Sequence, residues 1–342
     1  MANDSFCLEF GDAYARVADS SLSNQTIEID SLAMETKPLT FFTNANETSI
    51  NEVVKVVDSL INSQKITKKN VNIVIPDTYT YSQILTMPFL KEKELLSAIK
   101  YQADQFIPLP LDQAAIDLDI LFEDKKNNNL LVLIVATTQN LIDNVARIIE
   151  KVGLIPLSIE NELSAVGRLI NLINQNHSLT QSSLLLNLGS FSTSIYFYNR
   201  QKNLISYIHN FKIGFDLFSR EVQVNFNLNK QKADEALKSI GFGKNGSLDL
   251  GQILKPAFSE FIGEVEKFSI SVKEKENITN ALPILSFNLS DEIYLFNQSL
   301  KTQLGMEAGL LDISTLIRKN NNSEIFKQHQ SSYISVVAGN IK

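Results

Sequence analysis

The sequence predicts an α/β protein of two lobes. An apolar strand that ends in an acid or amide, any residue and then glycine occurs twice, at Glu9-Phe10-Gly11 and at Asn187-Leu188-Gly189. The polar stretch Asn174–Ser182 separates the two copies and is typical of a linker. Between them, Val71–Ile155 has the pattern of a strand, a helix, two strands, a helix and a strand. We therefore expect two similarly built lobes and one further unit inside the first.

Composition limits the classes of function. Hydrophobic residues make up 44% of the 342 residues and charged residues 20%, as in ordinary globular proteins. The formal charge is −7 and the basic residues are scattered, which argues against nucleic-acid binding and against an anionic membrane surface as partner. The longest apolar run, Leu130–Ala136, is far shorter than the roughly 20 residues that span a bilayer. Residues Met1–Ser5 lack a secretory signal, so we expect a cytoplasmic protein that reaches a membrane through a partner.

Cys7 is the single cysteine of the sequence. It lies in an apolar run and has no disulfide partner within the chain, which fits a reducing compartment. We predict that it packs in a core.

The first lobe opens with strands at Phe6–Phe10 and near Thr26–Leu32, followed by helical periodicity from Val53 to Ile61. A long helix carrying Leu163–Ile173 closes it.

The inserted unit begins with the strand Val71–Asp77. Glu92 and Glu94 favour a helix start through the macrodipole, and Pro108 is expected to stop that helix after about four turns. The strands Ile116–Phe122 and Leu130–Ala136 follow, joined by a charged turn. A second helix spans Leu141–Val152, and Gly153 stands where a left-handed cap is expected.

The second lobe restarts with two strands and continues mainly as helices. Its predicted elements are the strands Leu184–Leu188 and Thr193–Tyr198, helices around Phe215–Val224, Ala233–Ile240 and Phe258–Val272, the strand Pro283–Phe287, a helix through Ile293–Leu304, a loose surface segment Arg318–Gln330, and a strand or helix at Tyr333–Ala338.

One stretch carries a family resemblance. The strand ending in Pro76-Asp77, then Met87-Pro88, an acidic helix start and the closing Ile107-Pro108-Leu109-Pro110 resemble the type IV pilus assembly protein PilM family. The resemblance implies a two-lobed actin/Hsp70-like (ribonuclease H-like) fold with an inserted FtsA-type (SHS2-like) subdomain in the first lobe. It further implies subdomain 1A at residues 1–70 and 156–180, inserted subdomain 1C at 71–155, subdomain 2A at 181–214 and 283–342, and helical subdomain 2B at 215–282.

In that superfamily, paired loops hold ATP with magnesium between the lobes. The positions that the resemblance assigns to a nucleotide cleft are Glu9, Gly11, Asp12, Ala13, Arg16, Asn187, Gly189, Ser190, Ser192, Thr193, Ser286 and Asn288.

Three departures from the family pattern argue against nucleotide chemistry. Asp12 follows the first glycine, and a carboxylate about 4 Å from a phosphate costs roughly 4 kcal/mol at an effective dielectric constant near 20, partly offset by Arg16. Asn187 replaces an aspartate, and an amide is a weaker magnesium ligand. The turn after the late strand lacks glycine, and Phe287 there is placed to fill the base pocket. We expect lost or weak ATP binding, no hydrolysis and no other cofactor.

Simpler interpretations stand beside these. Glu9 and Asn187 are also typical of residues that cap turns. The run Gly241–Gly246 lacks phosphate-loop spacing and follows a helix, and His177, His209 and His329 have no partner at metal-ligand spacing, so no metal site is predicted.

The resemblance also implies a partner, the cytoplasmic N-terminal tail of a PilN-like inner-membrane protein, held in a groove between subdomains 1A and 1C. An extended peptide with apolar anchors and a basic residue needs apolar pockets and an acidic rim. Our candidates are Asp77, Gln102, Asp104, Gln105, Phe106, Ile107, Pro108, Pro110, Glu160 and Glu162. The alternative is that Phe106 and Ile107 belong to a core and that the prolines merely end a helix.

The function expected from the sequence is that of a non-catalytic adaptor of a type IV pilus or type II secretion-like machine. An ATP-binding switch of the same machine and an FtsA-like filament-forming protein are the alternatives. Pilus ATPases, a platform protein and further copies of the chain remain open as additional partners.

Overall fold

A computed structural model describes residues 4–37, 39–90, 92–102, 107–175, 179–246 and 248–341. The strands are β1 (Ser5–Phe10), β2 (Tyr14–Ser23), β3 (Thr26–Thr36), β4 (Asn70–Ile75), β5 (Tyr81–Pro88), β6 (Ala114–Asp124), β7 (Asn129–Thr138), β8 (Ile155–Asn161), β9 (Ser183–Leu188), β10 (Thr193–Asn199), β11 (Leu204–Phe211), β12 (Lys244–Asn245), β13 (Leu248–Asp249), β14 (Ile284–Asn288) and β15 (Ala308–Leu310). The α-helices are α1 (Glu47–Ser63), α2 (Glu92–Gln102), α3 (Gln139–Lys151), α4 (Glu162–Gln175), α5 (Phe215–Phe226), α6 (Lys230–Ser239), α7 (Leu250–Glu276), α8 (Phe296–Leu304), α9 (Asn321–Gln328) and α10 (Gln330–Ala338).

The two lobes repeat one sheet topology. The first sheet has the order β3-β2-β1-β4-β8 and the second β11-β10-β9-β14-β15. In each, three antiparallel strands are followed by a strand that pairs in parallel with the first of them. A fifth strand then pairs in parallel with the fourth. The sequence echo at Gly11 and Gly189 therefore marks the same turn, after the first strand, in both sheets. The predicted two-lobed actin-like fold is confirmed.

Two helices separate the sheets. One core joins α4 and α10 to residues of both lobes, including Cys7 of β1 and Phe287 of β14. Cys7 is fully buried there, as predicted. The outer face of the first sheet packs on α1 and α3, and that of the second sheet on α5, α6, α7 and α8.

The inserted unit is smaller than expected. Its sheet has the order β5-β7-β6, and α2 packs on one face through Leu95 and Ile99. The predicted boundaries of this unit, 71–155, also include β4 and α3. However, β4 pairs with β1 and β8 of the first sheet, and α3 buries its apolar residues against that sheet. Both elements belong to the first lobe because their apolar residues complete its core.

The end of the chain returns to the first lobe, whereas we had expected 283–342 to belong to the second. Ile317 bridges to Ile27 of β3, and Asn340 binds Ser5 and Asn72 by hydrogen bonds. The segment predicted to be loose contains α9, which has a capping box at Asn320. The stretch Tyr333–Ala338 is helical and fully buried.

Six strands have no counterpart among the elements predicted from the sequence, namely β2, β5, β11 and the short strands β12, β13 and β15. Other local predictions are confirmed: α2 begins at Glu92, and Gly153 after α3 has a φ of +75°.

Candidate functional site

The cleft between the lobes has a buried polar floor. Its members lie at the ends of strands from both sheets and at the start of α4, and we call them the interlobe cluster: Glu9, Tyr14, Arg16, Asp77, Glu162, Asn187, Tyr196 and Asn288. Each is less than 6% exposed to solvent. Such a concentration of buried polar groups requires mutual hydrogen bonds.

Arg16 and Asn288 form the centre of the interlobe cluster. Arg16 Nη2 donates to Asn288 Oδ1 at 2.9 Å, and Arg16 Nη1 lies 3.4 Å from Glu9 Oε1. Asn288 Nδ2 lies 2.8 Å from Asn187 Oδ1, 3.0 Å from the Tyr14 hydroxyl and 3.5 Å from Glu162 Oε1. Asn288 has a φ of +67°, a conformation that asparagine adopts more readily than most residues. One amide thus joins both lobes.

A second set of hydrogen bonds in the interlobe cluster centres on Asp77. The Tyr196 hydroxyl donates to Asp77 Oδ2 across the lobes, while the backbone N–H of Asp77 donates to Glu162 Oε2 at 3.1 Å. The backbone N–H of Leu163 donates to Asp77 Oδ1 at 3.0 Å.

The carboxyl groups of the interlobe cluster have raised pKa values. Burial raises the pKa of Glu162 well above its usual range, and the nearby Asp77 and Glu9 raise it further. Burial also raises the pKa of Glu9, although Arg16 opposes that rise, and raises the pKa of Asp77. These shifts favour neutral carboxyl groups around one guanidinium.

The donor set does not fit a magnesium–nucleotide complex. Mg²⁺ needs ionised oxygen ligands in an octahedral arrangement. Here the Arg16 guanidinium lies among the carboxyl groups, where a metal ion would have to bind. Within the described ranges, no three carboxylate, histidine or cysteine side chains lie together as metal ligands.

Other predicted cleft residues have structural partners. Thr193 Oγ1 donates to the carbonyl of Ile213 at 2.6 Å, and Ser286 Oγ donates to Asn297 Oδ1 at 2.8 Å inside the second lobe. The Gly189 N–H donates to the carbonyl of Ser192 at 2.9 Å, which closes the second turn. Phe287 was expected in the base pocket, but it is fully buried in the shared core because its strand position faces α10 and not the cleft.

An open part of the cleft remains at its mouth, with a volume of about 310 Å³. Its lining includes Ala13 and Ser190 from the two turns together with Leu289. Two lysines face it, but Lys230 is paired with Asp216 at 3.1 Å and Lys238 with Glu292 at 2.9 Å. Their charges are already balanced by carboxylates.

A larger groove lies between the first lobe and the inserted unit. Its volume is about 410 Å³, and both β8, the edge of the first sheet, and β6, the edge of the inserted sheet, line it. The apolar lining residues are Ile75, Ala115, Ile116, Val135, Ile142, Pro156, Leu157 and Ile159. Asp117 and Glu160 are its two charged residues, so the groove is apolar with an acidic border.

Few of the predicted partner residues line this groove. Glu160 does, and Arg168 holds it through two bonds of 2.5 and 2.6 Å. Asp77 and Glu162 were expected at an accessible rim, but both are buried in the interlobe cluster because their strand and helix ends point toward the second lobe.

The remaining candidates fall elsewhere. Ile107 is 4% exposed and packs in the core of the inserted unit, in agreement with the alternative interpretation. Pro108 and Pro110 are exposed between α2 and β6. Asp104, Gln105 and Phe106, together with the side chain of Gln102, lie outside the described residues.

The groove residues that the sequence analysis missed are chiefly on β6 and β8. Leu157 is 53% exposed, which is unusual for a large apolar residue on a strand. Sequence alone gave no sign of this, because an apolar strand residue normally indicates burial.

No helix among the described residues combines the length and apolar character needed to cross a membrane.

Solved structures with the same fold differ in how closely they match. A structure described as the PilM–PilN type IV pilus biogenesis complex is 15% identical and superimposes with a TM-score of 0.83, covering 99% of this chain and 98% of that one. MreB 5 of Spiroplasma citri bound to AMPPNP is 12% identical with a TM-score of 0.54, covering 98% and 94%. The ethanolamine utilization protein EutJ from Carboxydothermus hydrogenoformans is 9% identical with a TM-score of 0.50, covering 98% and 88%.

Similarity at the level of sequence agrees with the fold. The family model for the type IV pilus assembly protein PilM matches residues 8–334, nearly the whole chain. The chain therefore belongs to the PilM family of type IV pilus assembly proteins.

Proposed function

We propose that this protein is a non-catalytic cytoplasmic adaptor of a type IV pilus or related assembly machine. In this role it holds the cytoplasmic N-terminal tail of a PilN-like inner-membrane protein in the groove between β6 and β8. The observation that carries the proposal is the groove itself, an apolar channel with two acidic side chains between two free sheet edges. The fold shared with the PilM–PilN complex supports it.

The two edges offer different opportunities for backbone pairing. β8 contains Pro156, which has no N–H to donate and is common on edge strands. β6 has eleven residues without a proline and pairs on one side only, with β7. An extended tail that adds a strand would therefore pair with β6 and place its apolar side chains against Leu157 and Ile116.

The charged residues of the groove favour a tail that carries a basic residue. Asp117 and Glu160 border the groove, and no lysine or arginine is among the residues that line it. Glu160 is already neutralised by Arg168, which leaves Asp117 as the group that favours a basic residue in the tail.

Peptide titration tests the proposal. The probe is a fluorescein-labelled peptide with the cytoplasmic N-terminal sequence of the PilN-like protein from the same genome. We expect saturable binding to the full chain, and about tenfold weaker binding to Leu157→Asn, because removing apolar contact of this size costs about 1.4 kcal/mol.

Val224→Asn is the matched control. Val224 is 81% exposed on α5, far along the chain from the groove, and its replacement should leave binding unchanged. Equal weakening by both substitutions, or no peptide binding by the wild type, would contradict the groove proposal.

The absence of ATP hydrolysis is also proposed here. Arg16 stands among the carboxyl groups of the interlobe cluster, and burial favours their neutral forms. Phosphate release from Mg-ATP, measured with the peptide present and absent, should not exceed that of a buffer blank.

A further inference from the structure

The glycine of the first turn makes room for a side chain of this chain. A Cβ on Gly11 would lie 2.2 to 2.6 Å from three ring atoms of Tyr14, so the tyrosine ring rests directly on the glycine backbone. The N–H of Gly11 donates to the carbonyl of Tyr14 at 2.8 Å. The guanidinium carbon of Arg16 lies 3.7 Å from the centre of the same ring. Gly11, Tyr14 and Arg16 are therefore layered, and the space above the glycine is filled.

A carboxyl group of this chain is buried in the first turn. Asp12 is 6% exposed, and burial raises its pKa. Its Oδ1 atom is buried with no hydrogen-bond partner among the described residues. An acidic side chain at this turn opposes the binding of an external phosphate.

Several buried hydrogen bonds cross the cleft between the lobes. Arg16 and Tyr14 bind Asn288, and Asp77 accepts from Tyr196. All five side chains are at most 3% exposed. Buried hydrogen bonds of this kind are costly to break, because separation of the lobes would leave polar groups without partners.

We propose that these side chains form an internal latch that replaces the magnesium–nucleotide complex as the bridge between the lobes. Arg16 supplies the cation among the buried carboxyl groups, Asp12 places a carboxyl group in the first turn, and Tyr14 fills the space over Gly11. The latch holds the lobes together in the absence of any ligand. This inference does not depend on what binds the groove between β6 and β8.

The first experiment measures the spacing of the lobes. Spin labels are placed at Ser59→Cys on α1 and Val224→Cys on α5, both exposed, while Cys7 is buried. Tyr14→Phe keeps the ring on Gly11 but removes the hydroxyl that binds Asn288. We expect a longer and broader distance distribution in Tyr14→Phe and in Tyr196→Phe, with unchanged far-ultraviolet circular dichroism.

Tyr198→Phe is the matched control. Tyr198 is as buried as Tyr196 and lies on the same strand, but its hydroxyl donates to Asn203 inside the second lobe. Its distance distribution should equal that of the wild type. Distributions that are the same for the wild type, Tyr14→Phe and Tyr196→Phe would overturn the latch.

The second experiment uses Mg-ATP as the ligand. We expect no rise in the Tm of the wild-type protein and no change in the interspin distance at millimolar Mg-ATP, because the subsites are occupied from within. A ligand that binds only the folded state raises Tm. A concentration-dependent rise in Tm, or a shift in the distance, would overturn the proposal that the latch takes the place of the nucleotide.

Discussion

At the scale of single residues, this protein keeps several carboxyl groups where water does not reach them. Asp291 is one that lies outside the interlobe cluster, directly after the strand that carries Asn288. Its Oδ1 atom is buried without a hydrogen-bond partner, and burial together with Glu292 raises its pKa to about 6. An ionised Asp291 therefore destabilises the folded state.

The pH dependence of Asp291 follows from the direction of this shift. The folded state holds the proton of Asp291 more tightly than the unfolded state does. Protonation therefore contributes its full stabilisation below the ordinary aspartate pKa of 3.8, and this contribution is lost as the pH rises through the folded-state pKa of about 6. Asp291→Asn should raise the free energy of unfolding by about 2–3 kcal/mol at pH 7.5 and by little at pH 3.5. Urea unfolding at several pH values measures this difference. A benefit that is independent of pH would contradict the assignment.

Replacement of Arg16 is also expected to change the free energy of unfolding. Arg16→Met removes a buried guanidinium together with its contacts to Asn288 and Glu9, which should cost about 3–5 kcal/mol. Glu9→Gln in the same chain should recover part of that loss, because the amide, unlike the carboxyl group, never carries a charge that needs the missing cation. A double-mutant cycle by urea unfolding measures the coupling, and strictly additive losses would contradict the pairing.

At the scale of elements, the junctions between the inserted unit and the first lobe are made by caps. Asn161 precedes α4 and accepts from the backbone N–H of Ser164 at 3.1 Å. Its amide group also donates to Thr80 at 3.1 Å and to Ser82 at 2.8 Å, at the start of β5. One side chain therefore begins a helix of the first lobe and fixes the first strand of the inserted sheet.

Two substitutions distinguish the helix-capping role of Asn161 from its hydrogen bonds to the start of β5. Asn161→Asp keeps the capping oxygen but loses the donors, whereas Asn161→Ala loses both and should cost about 1–2 kcal/mol for the cap alone. We expect Asn161→Ala to lower the free energy of unfolding more than Asn161→Asp, measured by chemical denaturation. An equal loss for the two substitutions would contradict a stabilising cap.

At the scale of the whole molecule, the two lobes share one core instead of meeting only at a polar cleft. The return of α10 to the first lobe completes this core, and Gly339, directly after α10, lies against the first sheet. A Cβ there would lie 2.5 Å from Cys7 Sγ and 2.5 Å from Val74 Cγ2. Cooperative unfolding of both lobes is expected from such a shared core.

Gly339 offers a test of that closure. Gly339→Ala should destabilise the protein by about 1–3 kcal/mol through overpacking, and Cys7→Ala in the same chain should relieve part of the loss because it removes one of the two crowded atoms. Thermal unfolding followed by circular dichroism and by a probe in each lobe measures both points. Separate transitions for the two lobes would contradict the shared core.

Much of the fold could be predicted from local sequence patterns. We could predict the helix starts, the left-handed cap at Gly153 and the repeated turn after the first strand, because each depends on residues that are close in the chain. The strands β2, β5 and β11 were not predicted, because polar residues interrupt the apolar pattern of each. The burial of Asp77 and Glu162 could not be predicted either, because each carboxyl group meets the other lobe only after folding.

The sequence by itself thus determined the family, the two-lobed fold and the departure of the turn residues from the nucleotide-binding pattern. Tertiary structure alone decided how that departure is accommodated. Folding brings Tyr14 and Arg16 against Asn288, which lies far away in the chain, and it leaves the edges of β6 and β8 facing each other. Pairing between distant residues depends on packing, which a local pattern does not encode.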